Sequence, residues 1–224
     1  MSWEITPVGT PSSGMKGGLS FTSERMDVGD TRSVNIVDLD ADGWLDILLT
    51  RTASAPNYWR NDGAAHLSGR GFEQVPLSTL GRPLYASTWG DLDGDGDLDL
   101  VGATYDAALL DEFGVDFLMS GQAGTYYYQN DGGDFSETRL SSGAQALTII
   151  LVDLDKDGAQ DVMVGNDFAV FDQAWVRREG RWSEWSPFET TTHSTMSFDL
   201  GDVDNDGQYE LFATDMKPYT DDAG

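Results

Sequence analysis

Asp91-Leu92-Asp93-Gly94-Asp95-Gly96-Asp97-Leu98-Asp99 carries an aspartate at every odd position and a glycine at the sixth. The same frame returns in Asp38-Leu39-Asp40-Ala41-Asp42-Gly43-Trp44-Leu45-Asp46 and in Asp153-Leu154-Asp155-Lys156-Asp157-Gly158-Ala159-Gln160-Asp161. A fourth copy reads Asp202-Val203-Asp204-Asn205-Asp206-Gly207-Gln208-Tyr209-Glu210. Positions 1, 3 and 5 are always Asp, position 6 is always Gly, position 9 is always acidic and position 2 is always Leu or Val. Positions 4 and 7 vary freely. Successive copies start 49 to 62 residues apart, the period of a repeated supersecondary unit.

The flanks repeat as well. A short β-rich run precedes each copy (Ser33–Val37, Ala86–Trp89, Leu147–Val152, Thr195–Leu200) and an apolar run follows it (Leu45–Thr50, Leu98–Ala103, Asp161–Gly165, Tyr209–Thr214). Their length and their Gly and Asp borders predict strands rather than helices. Third runs at Asn57–Arg60, Thr125–Gln129 and Gln173–Arg177 end in Asn61-Asp62-Gly63, Asn130-Asp131-Gly132 and Glu179-Gly180, which suit tight hairpins. Fourth runs follow at Gly71–Leu77, Phe135–Leu140 and Trp182–Phe188. Four strands per unit is the make-up of one propeller blade. The expected fold is all-β: a β-propeller of four-stranded antiparallel blades, with three full blades and an inner half-blade. Ser20–Met26 reads as the outer strand of a preceding unit, residues 20–224 form the repeat region, and the Gly/Pro/Ser-rich segment within 1–19 is expected to be flexible.

Alternate acids at positions 1, 3 and 5 let a winding backbone aim three carboxylates at one point, and Gly at 6 permits the turn around an ion. The carbonyl of position 7 can ligate whatever side chain it carries, and the position 9 acid can close the cage. The candidate metal ligands are therefore Asp38, Asp40, Asp42, Trp44 and Asp46; Asp91, Asp93, Asp95, Asp97 and Asp99; Asp153, Asp155, Asp157, Ala159 and Asp161; and Asp202, Asp204, Asp206, Gln208 and Glu210. Hard, anionic oxygen donors favour Ca2+, up to four ions, over softer metals, with Mg2+ the weaker alternative. A helix–loop–helix site is excluded, because position 12 is Leu49, Gly102, Val164 or Ala213 where an acid is needed.

Bulk composition agrees. The 224 residues carry 39 acids against 13 basic residues, for a formal charge of -26. Thirty of the acids are Asp, a turn-former, and seventeen acids lie in the four loops. Nucleic acid is an unsuitable partner for so negative a chain. The chain has no Cys, which excludes disulfides, thiolate metal sites and cysteine nucleophiles. No apolar run approaches the length of a membrane span, and the start lacks the pattern of a signal peptide.

The stretch Trp89–Val101 around the second loop, and the hairpin Thr125–Phe135, resemble the FG-GAP/VCBS repeat family, the blades of integrin α-chain heads and of many secreted bacterial proteins. Met196–Met216 is similar to its cartilage-acidic-protein/UnbV-like branch. The resemblance implies a propeller commonly of seven blades, with calcium in hairpin loops on one face, held by positions 1, 3, 5, 7 and 9. About four repeats here predict a partial or open propeller whose exposed blade edges permit self-association.

The function expected from these readings is a calcium-binding, non-enzymatic scaffold for binding or adhesion, placed outside the cell or in the periplasm, with a protein or carbohydrate ligand. Competing readings are the propeller domain of a secreted polysaccharide lyase or hydrolase, or a purely structural segment of a longer protein. His66 and His193 read as solvated loop residues rather than catalytic ones. Trp182-Ser183-Glu184-Trp185 offers a sugar-stacking platform or a mannosylation signal, but alternate-residue spacing favours blade packing, as it does for Tyr126–Tyr128.

Overall fold

The computed structural model describes residues 4–5, 24–25, 29–63, 71–113, 122–168, 170–186, 188–192 and 194–216. Among the described residues it is all-β apart from one helix. Three four-stranded antiparallel sheets follow one another along the chain. The first blade comprises β3 (Ser33–Val37), β4 (Asp46–Thr50), β5 (Asn57–Asn61) and β6 (Phe72–Val75). The second comprises β7 (Ala86–Gly90), β8 (Asp99–Ala103), β9 (Thr125–Asp131) and β10 (Asp134–Ser141). The third comprises β11 (Ala146–Val152), β12 (Asp161–Asn166), β13 (Gln173–Arg178) and β14 (Arg181–Glu184). β15 (Thr195–Gly201) and β16 (Glu210–Asp215) form the half-blade. In each, spatial order equals chain order, the simple meander of a propeller blade. The first strands of the second, third and fourth units lie side by side, and no sheet closes on itself.

At the N-terminus, β1 (Glu4–Ile5) and β2 (Glu24–Arg25) pair only with each other. The run expected as an outer strand of a preceding unit thus joins none of the blades among the described residues. Otherwise the reading over 1–19 lies outside the described residues, as do His66 and His193.

Period-two alternation explains how blades stack. In β8 and β9, Leu100, Tyr126 and Tyr128 face the first blade and pack with Leu48 and Tyr58. Their neighbours Val101 and Tyr127 face the other way, toward Val162, Val164 and Trp175 of the third blade. Met163, between Val162 and Val164, turns to Phe198 of the half-blade. Both faces of the second and third blades are covered, so β8 and β12 are buried throughout, and β4 of the first blade is buried too. The three consecutive tyrosines are therefore core, as their strand spacing implied. Burying such large side chains contributes about 1.5–3 kcal/mol each.

The first strand of the first blade has no preceding blade against it among the described residues. Val34 and Ile36 are 52% and 56% exposed. Their register equivalents in the second blade, Ser87 and Trp89, instead donate hydrogen bonds to Asn35 of the first.

The β8–β9 connection holds a helix, α1 (Asp106–Phe113). No periodic apolar pattern marked it in the sequence. Asp106 starts it, accepting from the Thr104 hydroxyl at 2.7 Å and the Ala144 amide at 2.9 Å. Burial raises the Asp106 carboxyl above its ordinary range despite these bonds, and likewise raises Asp172. The folded chain therefore holds these protons more tightly than the unfolded chain. The stabilisation this gives is full below the ordinary aspartate pKa and is lost as pH rises through the raised folded value. Replacing Asp106 by Asn removes the titration. Relative to wild type, the urea midpoint of Asp106→Asn is expected to move in the variant's favour as pH rises from about 4 to about 7. A pH-independent difference would contradict this.

Candidate metal centre

All four acidic segments are hairpin loops joining the first and second strands of a unit, and they adopt one conformation. The glycine at position 6 has φ of 90°, 100°, 94° and 86° at Gly43, Gly96, Gly158 and Gly207. An added Cβ at any of them meets nothing within 4 Å, so conformation, not space, demands glycine. Position 4 is also left-handed in every loop: Ala41 56°, Gly94 82°, Lys156 60° and Asn205 62°. Sequence reading treated that position as free. It is free in chemistry but not in backbone, and Ala41 and Lys156 hold it at a cost of about 1–2 kcal/mol each.

Position 1 wraps the turn. Asp38 accepts from the Asp42 and Gly43 amides at 3.1 and 2.9 Å, and Asp153 and Asp202 repeat the pair. In the second loop Asp91 takes the Gly94 amide instead, at 2.8 Å. Position 5 accepts from the position 7 amide in all four, at 2.8–3.1 Å. The carboxylates of Asp38, Asp40 and Asp42 offer oxygens within 4.8 Å of one another, as do Asp91, Asp93 and Asp95, and Asp202, Asp204 and Asp206. In the third loop the trio is Asp153, Asp155 and Asp161. Such convergence of like charges is unfavourable unless a cation or a donor offsets it.

The position 9 acid is placed differently from the others. Asp46, Asp99 and Asp161 are fully buried. Asp99 accepts from the Leu92 amide (3.0 Å), the Tyr127 hydroxyl (3.0 Å) and the Asn130 amide (2.8 Å). Asp46 does the same with Leu39, Tyr58 and Asn61, and Asp161 with the Leu154 and Arg177 amides. Glu210 keeps the first of these bonds, to Val203 at 2.8 Å. Position 9 thus ties the loop to the third strand of its own blade, a role the sequence did not disclose. Burial raises all three aspartates above the ordinary carboxylate range, with the hydrogen bonds pulling the other way. Burial and the adjoining carboxylate push the Tyr58 and Tyr127 phenols up.

Position 2 anchors the loop to the next blade. Leu39 lies in the interface of the first and second blades and Leu92 in that of the second and third. Leu154 packs toward the half-blade, whereas Val203 is 63% exposed, with no further blade beyond it among the described residues. The carbonyls of Leu39 and Leu92 accept from Asn130 (3.1 Å) and Arg177 (2.7 Å) of the following blade. Loop geometry and blade docking are therefore one connected structure.

Position 3 takes a donor from the third strand in every full blade. Arg60 pairs with Asp40 at 2.8 Å, Gln129 donates to Asp93 at 2.6 Å and Arg178 pairs with Asp155 at 2.6 Å. The second loop, with five acids, has the neutral donor. There burial first, and Asp95 beside them, raise Asp93 and Asp97. The residues fit a cation on a further observation. Asp40 Oδ1 and Asp97 Oδ1 are buried without a hydrogen-bond partner, and an acceptor left so is costly until a cation or donor reaches it. Positions 1, 3 and 5, with the position 7 carbonyl and, in the third loop, Asp161 at position 9, are the oxygens that would hold the ion.

No curated protein sequence matches the chain. The family model for the FG-GAP-like repeat matches residues 38–102, from the first acidic loop into the second strand of the second blade. With the strand order and loop geometry around that match, the chain carries an FG-GAP-like repeat built as propeller-like β-blades.

Proposed function

We propose that the chain is a calcium-binding propeller module whose ions fix the hairpin loops, and that it serves as a non-enzymatic extracellular or periplasmic scaffold for binding or adhesion. The observation that carries this reading is the fourfold recurrence of three converging carboxylates on loops of one backbone conformation. Oxygen-only donors of high charge suit Ca2+ above Mg2+, which prefers a smaller octahedron with retained water. Four ions would reduce the formal charge from -26 to about -18, where like charges crowd most. The second loop, which has five acids and no salt bridge among the described residues, is the tightest site on this reading.

Trp44 at position 7 of the first loop is 46% exposed and gives a direct reporter. Terbium, a luminescent stand-in for calcium, is expected to show emission sensitised through Trp44. Calcium should displace it at far lower concentration than magnesium, and Trp44→Phe should remove the first loop's share. No sensitised emission, or displacement by both ions alike, would count against the proposal. Turnover of polysaccharides in saturating calcium would instead favour the enzymatic reading.

A further inference from the structure

We infer that the groove between the outer strands of the second and third blades binds an acidic sugar, a carbohydrate unit bearing a carboxylate. The groove encloses about 480 Å³, the size of a small-molecule site. Arg139, Arg177 and Arg181 line it, against the single carboxylate of Glu184. In a chain with 13 basic and 39 acidic residues, three guanidiniums around one cavity are a local reversal of charge.

Their engagement is uneven. Arg139 is tied to the carbonyls of Ala123, Ser141 and Ser142. Arg177 gives one nitrogen to the Leu92 carbonyl, while its Nε is buried without a partner. Arg181 is exposed and forms no salt bridge among the described residues. The indole N–H of Trp182 is a second buried donor without a partner. Trp182 meets Tyr127 edge-on at 5.2 Å, with the Arg177 guanidinium 5.9 Å from the Trp182 ring. Donors without acceptors, beside aromatic rings, match a ligand that is flat-faced, rich in oxygen and negatively charged.

The neighbourhood selects a singly charged sugar over a polyphosphate. Gln129, at the groove, donates to Asp93 of the second acidic loop, so a dense anion would be repelled from that side. Hydroxyls can use the polar rim, and the carboxylate can reach Arg181. The inference goes beyond the calcium reading, and the Arg and Trp residues that carry it are not metal ligands, so binding is expected both in calcium and in chelator.

The test is calorimetric titration of the full chain with a glucuronate disaccharide, its carboxyl-reduced neutral counterpart and a sulfated neutral disaccharide. Saturable binding of the glucuronate sugar is expected, about tenfold tighter than the neutral one and about tenfold weaker in Arg181→Ala. Trp182→Phe, which keeps a ring but loses the N–H, should also weaken it. Glucuronate binding no tighter than neutral sugar, or unchanged in both variants, overturns the inference. Preference for the sulfated sugar overturns the carboxylate assignment.

Discussion

Asp99→Asn is expected to destabilise the chain by about 2–4 kcal/mol in the presence of chelator, while Asp91→Asn in the same loop changes it by less than about 0.5 kcal/mol. Asp99 is fully buried and accepts from two amides and a phenol. An asparagine carbonyl can keep one or two of these bonds, but its NH2 then faces a donor. Each buried donor left without an acceptor costs about 1–3 kcal/mol. Relief of the buried charge, visible in the raised Asp99 pKa, offsets part of that loss. Asp91 is exposed, and its bond to the Gly94 amide is one that asparagine can also accept. Urea unfolding in chelator separates the two roles: position 9 holds the blade together without metal, whereas position 1 matters chiefly through the ion. An Asp99→Asn midpoint equal to wild type would remove the structural role assigned here.

Calcium is expected to raise the melting temperature by more than about 10 °C over chelator. A ligand that binds only the folded state stabilises it by about 2.7 kcal/mol per site at one hundred times its Kd. For a chain of this length each kcal/mol moves Tm by about 2–4 °C, so two occupied loops suffice. Because Leu39 and Leu92 link their loops to the following blade, the gain should appear as one cooperative transition rather than as local tightening.

Much of this was legible in the residues. Strand runs were placed within a residue or two because Asp-Gly and Asn-Asp-Gly punctuation is strong and the alternation is clean. The outer strand of the third blade is shorter than expected, ending at Glu184. Gly at position 6 declared its own backbone angle. Position 4 did not, since Ala41 and Lys156 are residues that ordinarily avoid it. The hydrogen-bonding of position 9 was hidden for another reason. Acidic residues that ligate and acidic residues that accept amides look alike in one dimension, and only Tyr58 or Tyr127 arriving from a strand tells them apart. The inter-blade links through Asn130 and Arg177 join residues 91 and 85 positions apart, beyond the reach of any local pattern.

Titration of calcium into chelator-stripped protein, counting ions bound per chain, addresses the metal assignment most directly. Four ions are expected, falling to three when Asp38, Asp40 and Asp42 are together replaced by asparagine. Binding no greater than that of a chain whose position 1, 3 and 5 aspartates are asparagine in all four loops would contradict it.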